Sequence, residues 1–115
     1  MTILLFLLAT VGFAQGKTSE EKAAALTEKM QSEIKFSDET KTKVHAINLD
    51  FVNKASELKA SDASKMERFK ALKQLDDDRA DQFKKIFSQT EYAAFEKFRQ
   101  ENREQMKERV KERRN

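Results

Sequence analysis

Cysteine and proline are absent from this 115-residue chain, glycine occurs twice and histidine once. Without cysteine there is no disulfide, no thiolate metal site, no thiol nucleophile and no lipid-modified cysteine after a leader. Both glycines, Gly12 and Gly16, lie near the start. The rest of the chain therefore lacks the raw material for tight hairpin turns and for Gly-rich loops that cradle phosphates. The single His45, between Val44 and Ala46, reads as a helix residue and not as an acid–base catalyst. Met30, Met66 and Met106 are too dispersed for a copper-type cluster. These absences leave no set of residues for an enzyme's chemistry, and no cofactor is expected.

One apolar run is present, at the very start. Residues 1–14, MTILLFLLATVGFA, carry no charge and eleven of them are apolar. That is the length of a signal-peptide core and is too short to span a bilayer as a helix. Gly12 and Ala14 supply small residues at −3 and −1 of a cut before Gln15. No Lys or Arg precedes the run, which departs from the usual leader. The expectation is export to the periplasm, removal of residues 1–14, no stable membrane insertion afterwards, and a single domain over 15–115.

After residue 14 the chain is rich in charge. Residues 17–60 hold eight basic and eight acidic groups, residues 61–95 seven of each, and the last twenty hold eight and five. The whole net charge of +3 thus sits in the C-terminal twenty residues. A basic end can mark nucleic-acid binding. Here Glu104/Lys107 and Glu108/Lys111 stand at i,i+3 and partly neutralise one another, and export argues against nucleic acid. Leu, Ile, Val and Phe supply only eighteen residues of 15–115, so any core is thin. A lean bundle, an extended cradle-like arrangement of helical hairpins, or a homodimer sharing its core fits that supply.

No window alternates like a strand, so the chain reads as all-α, with about four helices separated by Ser, Asp and Thr. The first starts near Thr18, where Thr18 and Glu21 have capping-box spacing, and Leu26, Met30 and Ile34 form one stripe. The second runs from about Asp38 to Leu58, with Val44, Ile47, Phe51, Val52, Ala55 and Leu58 on one face. The third starts after Ser64, with Glu67 at cap spacing, and carries Met66, Phe69, Leu72, Leu75, Phe83 and Ile86. Its middle, "LDDDRAD", breaks the stripe. Asp76 to Asp81 could draw Ca²⁺ or Mg²⁺, but three consecutive carboxylates on a straight helix point about 100° apart. A solvated, self-repelling turn with a kink or local opening is expected there. The fourth helix follows Ser88 with Tyr92, Phe95 and Phe98. Beyond Phe98 only Met106 and Val110 are apolar, so a polar, basic helix end should project. Phe51, Phe69, Phe83, Phe95 and Phe98 are the expected core aromatics, with room for one or two of them on a binding surface.

One phrase is written twice. In "IFSQTEYAAFEKF", Ser88 and Glu91 form a capping box, and Phe87 and Tyr92 occupy the two positions of a hydrophobic staple. In "FSDETKTKVHAI", Phe36 precedes Ser37, but Thr40 replaces the acidic residue, so the cap is weaker. Val44 and Ile47 follow Phe36 at the spacing with which Phe95 and Phe98 follow Phe87.

These two boxes, Phe36-Ser37-Asp38-Glu39-Thr40 and Phe87-Ser88-Gln89-Thr90-Glu91-Tyr92, resemble the twice-occurring LTxxQ motif of the Spy/CpxP family. Both depart from it: Phe stands for Leu, Ser for Thr, and Thr or Glu for Gln. The resemblance covers Lys22 to about Arg113. It implies a cradle-shaped dimer of long helices acting as an ATP-independent periplasmic chaperone for unfolded clients. The alternatives are an envelope-stress modulator that binds a sensor kinase, and a structural helical module of coiled-coil type. Some relatives bind zinc through histidines that this chain lacks. Lys41, Lys43, Arg99 and Arg103 are the basic residues expected to contact clients.

Overall fold

A computed structural model describes residues 18–114. The proposed leader, residues 1–14, lies outside the described residues. Four helices follow one another: α1 (Ser19–Ile34), α2 (Asp38–Lys59), α3 (Lys65–Ile86) and α4 (Gln89–Arg114). No strand occurs among the described residues. The chain is all-α, as the sequence predicts.

Each helix start follows from a short polar side chain. Thr18 accepts from the Glu21 N–H (3.1 Å), and the Glu21 carboxylate accepts from the Thr18 N–H (2.9 Å). Ser64 and Glu67 repeat this reciprocal pair, as do Ser88 and Glu91. Each pair satisfies backbone donors that a helix start would otherwise leave unpaired. Ser37 caps α2 through the Thr40 N–H at 3.2 Å. The Thr40 hydroxyl meets the Ser37 hydroxyl, so this cap is one-sided. α1 ends on Lys35 in the left-handed region (φ 65°), with its N–H donated to the Gln31 carbonyl. Gln31 also donates to the Phe36 carbonyl at 3.0 Å and to Asp38 at 3.2 Å, closing the α1–α2 corner.

α1 packs on α2, α2 on α3, and α4 returns along α1. The core gathers where the two corners meet. Met30 and Ile34 of α1, Phe36, Val44 of α2, Ala80 and Phe83 of α3, Phe87, and Phe95 and Phe98 of α4 are buried together. Each buried large apolar side chain contributes about 1.5–3 kcal/mol. Away from this end the molecule thins. Its radius of gyration is 16.5 Å, against about 13 Å for a compact chain of similar length.

The thinning has a simple cause. α1 has 16 residues, while α2 and α3 have 22 each. Contacts from α1 step along α2 from the corner inward: Gln31 to Asp38, Glu28 to Lys41, Thr27 to Asn48, Glu20 to His45. α1 therefore begins near the middle of α2. Past that level, the end of α2 and the start of α3 form a two-helix arm, tied at its tip by Arg68 to the Lys59 carbonyl.

Two expectations are overturned. α3 runs unbroken through "LDDDRAD". The acidic run does not open the helix because Arg79 neutralises Asp76 one turn on and Arg99 reaches it from α4. The apolar stripe of α3 is also not all core. Phe83 is buried, but Met66 is 62% exposed, Phe69 66% and Leu72 39%.

Candidate functional site

Two constellations stand out, one polar at the body of the fold and one apolar on the arm. The polar one centres on Asp76. Its Oδ1 accepts from Arg79 Nη2 at 2.9 Å, and its Oδ2 accepts from Arg99 Nε at 2.8 Å and Arg103 Nη2 at 3.3 Å. Arg99 also donates to Asp77 at 2.7 Å. The Arg79 guanidinium lies over the Phe51 ring, 4.1 Å from its centroid, and donates to Asn48. Asn48 is fully buried and donates to Thr27, whose hydroxyl donates to the Ala23 carbonyl. One polar chain thus links all four helices.

Burial pushes the Asp76 carboxyl up, but the hydrogen bonds and charges of Arg79 and Arg99 outweigh it and hold the carboxyl below the usual carboxylate range. Burial lowers the Arg79 guanidinium, partly offset by Asp76. Arg99 is raised: the bonds and charge of Asp76 and Asp77 exceed the effect of its burial. This arrangement fastens α4 to α3 and has no group poised for proton transfer. The solvated, repelling turn expected at Asp76–Asp81 is therefore wrong at its first residue: Asp76 is half-buried and ion-paired.

The predicted site residues fall into separate groups. Phe36 and Phe87 come together, with ring centroids 5.6 Å apart. Ser88 and Glu91 form their box, and Ser37 and Thr40 the weaker one. The ring partners of Phe87 are Phe36, Phe83 and Phe95, and Tyr92 packs on Phe95. The second corner is thus closed by a cluster of rings and not by a simple Phe87–Tyr92 staple. Lys41 is ion-paired with Glu28. Arg99 and Arg103 are held by Asp76. Lys43 is exposed. The four do not form one patch. His45 meets Glu20, Nε2 to Oε1, at 2.7 Å. Among the described residues no group of three or more His, Asp or Glu could hold a metal ion, and no helix is long and apolar enough to cross a membrane.

The apolar constellation is a groove of about 550 Å³ on the arm. Ala55 and Leu58 of α2 face Phe69 and Leu72 of α3, and Lys59, Lys65 and Arg68 form a basic rim. Sequence reasoning assigned these apolar residues to the core. A signal was present all the same. Caps at Thr18 and Ser37 bound a first helix shorter than the next two, so it cannot cover both along their length.

Family models, curated proteins and solved structures were compared with the chain, and none matches.

Proposed function

We propose that the protein is an exported, periplasmic, ATP-independent chaperone that holds unfolded or stressed client proteins in the α2–α3 groove. It is a binding protein in this reading, not an enzyme, and it needs no cofactor. The observation that carries the proposal is the exposure of Met66, Phe69 and Leu72 on one arm beside Lys59, Lys65 and Arg68. Large apolar side chains clustered in the open mark an interaction surface. An unbranched methionine adapts to irregular partners. An open, shallow groove buries little area per contact, which suits weak and reversible capture. The basic rim, joined by exposed Lys43, steers acidic stretches of unfolded chain toward it. Lys41, Arg99 and Arg103 serve mainly the fold in this reading. The resemblance of the two helix-start boxes to the Spy/CpxP motif adds support. A homodimer is part of the proposal, since a thin core and an extended shape leave faces for a second copy.

The test is light scattering of an aggregating client with the protein added at stoichiometric and lower ratios, without ATP, at low and high salt. Suppression that weakens with salt is the expected result. No suppression at any ratio sinks the chaperone reading. Tight binding to a single envelope sensor without suppression would favour the stress-modulator alternative.

A further inference from the structure

The groove lies where the chain upstream of α1 emerges. The Glu20–His45 contact puts the start of α1 at the middle of α2. From His45 the second helix runs on for fourteen residues to Lys59, about 21 Å at 1.5 Å per residue. That stretch of α2, with the facing start of α3, is the arm that exposes Met66, Phe69 and Leu72. Upstream of Thr18 come three linker residues, Gln15-Gly16-Lys17, and then the uncharged segment 1–14. Three extended residues reach about 10 Å, enough to bring that segment onto the base of the arm. As a helix, fourteen residues are also about 21 Å long, so the segment matches the bare length of α2. Eleven of its fourteen residues are apolar and none is charged. It is the one stretch of this chain with apolar surface to match three exposed large side chains.

We propose that in the uncut chain residues 1–14 lie in the α2–α3 groove and occlude it, so that removing them opens the client site. The proposal rests on the chaperone reading only for its last clause; occupancy of the groove stands apart from it. Tethering favours this occupant over any free one. A segment joined by a short flexible linker meets its site at an effective concentration in the mM range. A site whose clients bind weakly is then filled before export and free after it. The chain would thus be kept from capturing other proteins until it reaches the compartment where it acts.

The absence of cysteine makes the test direct. In the full 1–115 chain, Leu72→Cys is paired with Leu7→Cys, and in a second variant with Leu8→Cys, because adjacent positions sample two sides of a helix. The control pairs Leu7→Cys with Lys43→Cys, an exposed position on the other half of α2. After mild oxidation at low protein concentration, at least one groove pair should give an intrachain disulfide at least about fivefold faster than the control, as a tethered contact requires. Equal rates for groove and control pairs, or no intrachain link from either groove pair, would overturn occupancy. Links between chains at Leu72 would assign the groove to a second copy and also overturn it. In the light-scattering assay, cutting after Ala14 should lower the amount of protein needed for suppression several-fold. If the cut chain suppresses nothing while the intrachain link forms, the chaperone reading fails and occupancy stands.

Discussion

Phe36 and Phe87, fifty-one residues apart in the chain, stack on one another with centroids 5.6 Å apart and planes 20° from parallel. Each immediately precedes the serine that caps a helix. The repeated phrase therefore has a physical meaning: two helix corners are built alike and are pressed together by the residue before each cap. Phe83 stacks on Phe87 at 5.2 Å and meets Phe95 edge-on at 4.9 Å, extending the contact into α3 and α4.

If the stack joins the corners, its two rings are energetically coupled. Phe36→Ala and Phe87→Ala should each destabilise by about 3 kcal/mol, the usual cost of emptying a buried aromatic site. The double variant should cost about 1 kcal/mol less than the sum. Urea denaturation followed by far-UV circular dichroism gives all three values. Strict additivity would mean that the corners are held independently.

The Asp76 hub predicts unequal effects for its two ends. Asp76→Asn strands Arg79 in a buried position and should cost about 3 kcal/mol. Arg79→Met should cost less. Asp76 keeps Arg99 and Arg103, a methionine still covers Phe51, and the replaced group already has an Nε without a hydrogen-bond partner among the described residues. Denaturant midpoints of the two variants, measured side by side, check the order.

Acid should remove the same contribution. The Asp76 carboxyl is held below its ordinary value in the folded chain. Its stabilising effect is therefore fully present above the unfolded value of about 3.9 and disappears as pH falls through the lower folded value. The stability difference between the wild type and Asp76→Asn should be flat from about pH 7 to pH 5 and shrink below about pH 4. A difference that shrinks between pH 7 and 5 would place the linkage elsewhere.

The two caps should also differ. Ser88→Ala removes a reciprocal pair and should cost about 1 kcal/mol or slightly more, while Ser37→Ala, at a one-sided cap, should cost less. Thr40→Glu should complete the first box and recover a few tenths of a kcal/mol, read as a higher melting temperature.

The caps explain why so much of the fold was legible. Thr18, Ser37, Ser64 and Ser88 announce helix starts through local hydrogen bonds, which depend on residues three apart and on nothing distant. The stripe Met30–Ile34 and the pair Phe95–Phe98 were legible for the same reason: helical period decides which side chains share a face. What failed depended on tertiary placement. Asp76 looks like its neighbours Asp77 and Asp78 in sequence, and only the arrival of Arg99 from α4 separates it from them. Phe69, Asp76 and Phe83 stand seven residues apart on one side of α3 and meet solvent, a salt-bridge hub and the core in turn. Period assigns all three to one face; it does not say where along the helix the covering partner ends. The groove on the arm exists because α1 is short.

That groove is the centre of the functional account, and one comparison tests it most directly. Suppression of client aggregation would be measured for the wild type and for a Phe69→Ser/Leu72→Ser variant. Both side chains are largely solvated, so the variant should keep the helical circular dichroism spectrum and the melting temperature. The account predicts that the variant needs about tenfold more protein for the same suppression, as expected when two apolar contacts are lost from a weak site. Equal suppression by a folded variant would contradict it, and the client surface would then have to lie elsewhere on the chain.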